Sequence, residues 1–142
     1  MSRKMSGQEW HAFLRRGTRT GKLATVRRDG RSHVVPVWFV LDGDDVVFTT
    51  GAGSVKAAAM RRDPRVCMCV DDENPPFAFV MVEGIATLSD DLDEMLPYAT
   101  AIGGRYMGPD RAEEFGRRNA VSGELLVRVT PTRVLAEAEI AD

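Results

Sequence analysis

The sequence predicts a mainly β protein with short helices, arranged as a closed or partly closed antiparallel barrel. Six or seven segments read as strands, and tight turns join several of them. Asp29-Gly30 parts the run 22–28 from the run 31–40, and Asp42-Gly43-Asp44 parts that from 46–50. Asp-Gly between two strand-like runs is a strong hairpin signal. Many strand residues are also apolar on both parities, as in Val34, Val35, Val37 and Phe39, or Phe79, Val80, Met81 and Val82. A small barrel buries only its inside, so its apolar outside needs a cover. A homodimer packed through barrel faces is the expectation, with helices alone as the alternative cover.

Each element has a local reason. Ser6-Gly7-Gln8-Glu9 fits a capping box, and Trp10, Phe13 and Leu14 recur at helical spacing, so a first helix runs to about residue 16 before Gly17. Three meander strands follow. Ser54 opens a short helix that Asp63-Pro64 stops, because proline disfavours helix in the residue before it. A fourth strand spans 66–70, with Cys67 and Cys69 on one face, expected to point inward as small apolar residues. Asp71 to Pro76 is a polar loop, and a long fifth strand covers 77–88. Ser89-Asp90-Asp91 starts a helix expected to end near Gly103-Gly104, and 105–109 is a connector. Asp110 caps a helix to about residue 118. The last strands, 124–129 and 132–138, are parted by Pro131.

Composition narrows the function. With 142 residues the chain is a single domain, 1–142, long enough for one core. A net charge of -2 gives no case for a nucleic-acid partner, and no apolar run approaches the roughly 18 residues of a membrane span. The N-terminus lacks an apolar signal-peptide core, so a cytoplasmic location is expected. Two cysteines and two histidines without ligand spacing argue against a metal site. The arginine excess suggests a GC-rich genome. No Ser-His-Asp set or Cys-His pair stands out. His33, Tyr98 and Tyr106 are candidate proton donors, with structural roles as the alternative.

The stretch Thr49-Thr50-Gly51-Ala52-Gly53-Ser54-Val55-Lys56 carries the most chemistry. It reads as a strand end, a glycine loop and a helix start. Helix N–H groups and the helix dipole favour an anion there, hydroxyls donate to it, and an ammonium neutralises it. The chain has three lysines against sixteen arginines, so a lysine at this spot stands out. An ordinary Ser-capped helix with an incidental lysine remains the alternative.

The order Ala24-Thr25, Asp29-Gly30, Pro36-Val37, Thr50 and Lys56, Asp63-Pro64-Arg65-Val66, Glu83-Gly84 resembles the pyridoxamine 5'-phosphate oxidase-like split-barrel flavoproteins, over roughly residues 8–138. Within them it is most similar to the small actinobacterial branch that uses the 8-hydroxy-5-deazaflavin coenzyme F-420. The resemblance implies a six-stranded antiparallel split β-barrel, homodimeric, with the cofactor between subunits. It implies that Val34, Val35, Pro36 and Val37 lie beside the tricyclic ring. Thr49, Thr50, Ser54, Lys56 and Ala57 would meet the phosphate-bearing tail, Arg61 (or Arg62) a polyglutamate extension, and Phe77 and Phe79 would come from the second subunit. Trp38 would line the dimer groove. The implied activity is hydride transfer from F-420 to an unsaturated organic substrate. FMN-dependent oxidoreduction and non-catalytic cofactor binding are the alternatives. The chain is shorter than the vitamin-making oxidases and ends its strands in Val134-Leu135-Ala136-Glu137-Ala138, without their arginine-rich signature. Pyridoxamine phosphate is therefore not the expected substrate.

Overall fold

A computed structural model describes residues 1–142. Eight strands form one antiparallel sheet: β1 (Arg3–Lys4), β2 (Gly21–Val26), β3 (Ser32–Val37), β4 (Val40–Asp42), β5 (Asp45–Gly51), β6 (Arg65–Asp72), β7 (Ala78–Ser89) and β8 (Glu124–Ala138). The helices are α1 (Gly7–Arg15), α2 (Val55–Arg62), α3 (Leu92–Met107) and α4 (Ala112–Asn119). The strand order is β3-β2-β6-β7-β8-β5-β4, with β1 on β8. The sheet curls around a core but does not close, since β3 and β4 end the path. Six strands are long and two, β1 and β4, are short additions, so the six-stranded split barrel describes the body of the fold.

The curl is held by inward side chains from nearly every element. Leu14, Leu23, Phe39, Phe48, Val70, Val80, Val82, Val127 and Val129 are completely buried in one cluster. Burying a side chain of this size contributes roughly 1.5–3 kcal/mol. The capping box is present: Ser6 Oγ accepts from Glu9 N–H and Glu9 accepts from Ser6 N–H. The Asp29-Gly30 hairpin forms, with Gly30 at φ 88°, where a side chain would be strained.

Asp110 caps no helix, since it lies in a 3-10 turn and α4 starts after Arg111 without a side-chain cap, and four larger expectations need correction. The run 31–40 is not one strand. It breaks at Trp38-Phe39, where Phe39 turns into the core. The lost ladder bonds are replaced from α3: Phe39 N–H donates to Tyr106 Oη (3.3 Å), and Arg105 Nη1 donates to Phe39 O (2.8 Å). Residues 124–138 form one strand, not two. Pro131 sits at a register shift in which Gly84 faces Pro131 and Glu83 faces Arg133, so its missing N–H breaks no ladder. Gly84 is needed there, because a Cβ would lie 2.6 Å from Thr130 O.

The third correction concerns Gly103 and Gly104, which do not end α3. A Cβ on Gly103 would lie 2.6 Å from Phe115 Cβ, and one on Gly116 would collide with Thr100 Oγ1. These glycines let α3 and α4 touch, and Arg105 and Tyr106 are helical rather than in a connector. Finally, Cys67 and Cys69 point outward. The inward set of β6 is Val66, Met68 and Val70, and both thiols are half-buried.

Helices cover part of the barrel's outside. Met95 of α3 packs on Val47 and Leu126. The outward face of β2, β3 and β7 keeps Val26, Val34 and Ile85 exposed. No helix is long and apolar enough to cross a membrane.

Candidate cofactor site

Two features flank α2. At its N-terminus, Ser54 has extended backbone and its Oγ accepts from Ala57 N–H at 3.1 Å. Thr50 Oγ1 lies 3.2 Å from Ser54 Oγ. Thus Ser54, Thr50 and Ala57 form one hydrogen-bonded unit, and Ala57, fully buried, takes part through its backbone only. The N–H groups of Val55 and Lys56 remain without an acceptor, as helix starts leave them. Arg61 folds back so that its Nη1 donates to Ala52 O at 2.8 Å. Thr49 does not join: strand alternation turns it to the face opposite Thr50.

Pattern reading missed one neighbour of this corner. Strand pairing sets Glu124 opposite Gly51. Its Oε2 is buried without a hydrogen-bond partner. Burial raises its pKa, and the nearby Lys56 ammonium opposes that. Only the β5–β8 register reveals Glu124, seventy residues along the chain from the loop, so no local signal marks it.

At the other end of α2, about 12 Å away by helix rise, opens a groove of about 440 Å³. It is lined by residues 24–26 of β2, Ser32, Asp63, residues 65–67, residues 83–85 and Thr132. Thr25 is 2% exposed and its Oγ1 has no partner. Alternation turns this side chain to the core side with Leu23, so its hydroxyl is an unpaired core group and not part of the groove's surface. Val34 pairs with Ala24 on the rim. Alternation puts Val34 and Pro36 on the open side, where both are exposed, and turns Val35 and Val37 inward. Arg62 Nη2 donates to Val26 O and ties α2 to this rim.

The remaining candidates lie apart from this pair of features. Phe77 is exposed with φ 64°, a left-handed backbone unusual for an aromatic residue, and Phe79 is half-buried on the outward side of β7. Trp38 stacks on Tyr106 at 5.1 Å. Tyr106 donates to Arg19 O, and Tyr98 donates to Asp42 Oδ2 at 2.6 Å. Both hydroxyls are thus held in protein contacts. No set of three or more His, Cys, Asp or Glu side chains is placed to hold a metal.

The donors at the α2 N-terminus fit a phosphate: the one hydroxyl hydrogen left by the Thr50–Ser54 bond, free helix N–H groups, an ammonium and a guanidinium against one carboxylate. The open, curled antiparallel sheet with short helices defines the class of split-barrel proteins. The chain belongs to the pyridoxamine 5'-phosphate oxidase family, whose model matches residues 6–137.

Among solved structures, a conserved hypothetical protein of Mycobacterium tuberculosis is 26% identical, with TM-score 0.84, covering 95% of this chain and 86% of that one. An F-420 reductase is 27% identical, with TM-score 0.72 and coverages of 86% and 93%. A FAD-binding protein of Mesorhizobium loti shares the fold at 22% identity and TM-score 0.68, over 96% of each chain. No curated protein matches the sequence.

Proposed function

We propose that this chain is a deazaflavin-dependent reductase that binds coenzyme F-420 and passes hydride to an unsaturated organic substrate such as an enone, quinone or tetrapyrrole. The observation that carries the reading is the Thr50–Ser54–Lys56 corner, with its uncommitted N–H groups, on a fold of this family. The 27% identity to an F-420 reductase supports the choice of cofactor. When bound, the deazaflavin supplies the hydride through the carbon at position 5.

The protein's part is holding and excluding. Lys56 and the α2 N–H groups bind the tail phosphate, and Thr50 orients the Ser54 cap. Val34 and Pro36 present an apolar wall to one ring face. Positioning of this kind is the main protein contribution to a transfer that needs near-contact of two carbons. In this reading a second copy of the chain covers the outward sheet face, and Phe77 and Phe79 reach the site across that interface.

Titration of the purified protein with F-420 and, separately, with FMN, followed by fluorescence, tests the proposal. Micromolar or tighter F-420 binding is expected, weakened by about 1.5–3 kcal/mol in Lys56→Ala, the range for a charge-assisted contact. FMN shares the ribityl phosphate, so preferential FMN binding would replace the deazaflavin reading with an FMN-dependent one. Equal affinity of wild type and Lys56→Ala would remove the anion corner.

A further inference from the structure

A second cavity, of about 610 Å³, lies between the end of α1, β4 and the middle of α3. Val40, Leu41, Pro97 and Ala101 form its apolar wall. Arg15, Arg105, Asp42 and Tyr98 supply its polar groups. The two arginines differ from the acid in one respect: Asp42 is matched and they are not. Asp42 Oδ2 accepts from Tyr98 Oη at 2.6 Å and pairs with Arg128 Nη2 at 3.0 Å. Neither Arg15 nor Arg105 has a carboxylate oxygen within the 4.0 Å of an ion pair.

Arg105 is fixed rather than floppy. Its Nε donates to Gly17 O (2.9 Å), Nη1 to Phe39 O (2.8 Å) and Nη2 to Leu14 O (2.6 Å). These carbonyls include the C-terminal end of α1, which accounts for the side chain's place as a helix cap. They are neutral acceptors, however, and leave two of the five guanidinium N–H groups uncommitted and the formal charge unmatched. Its guanidinium also lies over the Phe39 and Tyr106 rings, at 4.7 and 5.0 Å, which holds its plane. Arg15, the last residue of α1, is exposed on the rim.

Taken with the Arg128–Asp42–Asp45 cluster on its edge (one positive charge, two negative), Arg15 and Arg105 leave this region three positive charges against two negative, a surplus of one. We propose that this cavity is a binding site for a small organic monoanion, a carboxylate with an apolar body. The carboxylate sits between Arg105 and Arg15, and the body lies along Val40, Leu41, Pro97 and Ala101. A planar carboxylate suits two N–H groups of a fixed guanidinium. A phosphate dianion exceeds the surplus charge and meets Asp42. The size falls within the range of small-molecule sites. The site is separate from the α2 corner and does not depend on the cofactor reading.

The test is an amide-resolved NMR titration of the labelled protein with 2-naphthoate, 2-naphthamide and inorganic phosphate. Saturable shifts from 2-naphthoate at Leu41, Ala101 and Arg105 are expected, with 2-naphthamide at least about 10-fold weaker, the equivalent of 1.4 kcal/mol. Arg15→Gln, an exposed change that leaves the fold intact, weakens naphthoate about 5- to 10-fold. Ala101→Trp, which fills the groove from an exposed helix position, abolishes it. Lys56→Ala leaves it unchanged. The proposal is overturned by any of three results: no saturation below about 10 mM, equal binding of the amide or of phosphate, or wild-type affinity in either groove variant.

Discussion

At the α2 corner, Lys56 has no acid in ion-pair contact, whereas on the α3 flank every charge of the Arg128 cluster has an opposite charge in contact, one guanidinium bridging two carboxylates. Arg128 Nη1 meets Asp45 at 3.0 Å, and Nη2 meets Asp42 at 3.0 Å and Tyr98 Oη at 2.7 Å. Burial alone would lower the Arg128 pKa, but the bonds to Asp45, Tyr98 and Asp42 raise it. The Tyr98 hydroxyl bond, followed by the Arg128 bond, holds Asp42 below its ordinary range. Charges consumed by one another hold a fold together. Charges left without an opposite charge in contact, Lys56 and the carbonyl-held Arg105, are the ones proposed above to meet a ligand.

The strongest way to break the contrast is to break the flank. Gly116→Val forces a side chain into Thr100, and a loss of about 2–3 kcal/mol is expected, read by urea denaturation. Thr100→Ala in the same background should recover part of that loss. Full stability of Gly116→Val would mean that α3 and α4 do not rely on close approach.

Removing the matched cation comes next. Arg128→Met leaves Asp42 and Asp45 facing each other without a partner. Asp42 is half exposed, so solvent screens the repulsion, and the expected cost is about 1–2 kcal/mol. Lys56→Ala, by contrast, should stay within about 0.5 kcal/mol of wild-type stability while losing cofactor affinity. If the two variants cost the same stability, the distinction between matched and free charge fails.

The smallest effect is in acid. Bidentate bonding to Arg65 lowers the Asp63 pKa from 3.8 to about 2. A carboxylate whose folded pKa is depressed stabilises the fold above the unfolded value and loses that contribution as pH falls through the folded value. Asp63's share is therefore intact above 3.8 and disappears toward about 2. Carboxyl NMR should place its midpoint there, and Arg65→Ala should return it toward 3.8. Because Asp63 and Arg65 line the 440 Å³ groove, this pairing also fixes the groove's wall.

Much of the fold was legible. The Ser6 capping box, the Asp29-Gly30 hairpin, the Ser54 cap and the Pro64 stop are local chemistry, written within a few residues of where they act. The reading failed where a distant segment changed a local rule. Gly103 and Gly104 look like a helix end, yet they are contact surface for α4. Trp38-Phe39 looks like strand, yet Arg105 and Tyr106 bond its backbone and pull it from the sheet. Pro131 looks like a break, yet it falls on a bulge opposite Gly84. Cys67 and Cys69 shared a face as alternation requires, but which face was core depended on the register of β6 against β2 and β7.

The sequence by itself determined the fold class, the order of the strands along the chain and the residue types at the anion corner, because periodicity, capping and turn chemistry act over a few residues. Tertiary structure decided which of those residues converge. It joined Thr50 to Ser54 while turning Thr49 away, and set Glu124 beside Gly51. It also left the Thr25 hydroxyl unpaired in the core and gathered Arg15 and Arg105 around a second cavity. Side chains far apart in sequence meet only through strand pairing and helix packing, and burial and charge matching are properties of that meeting.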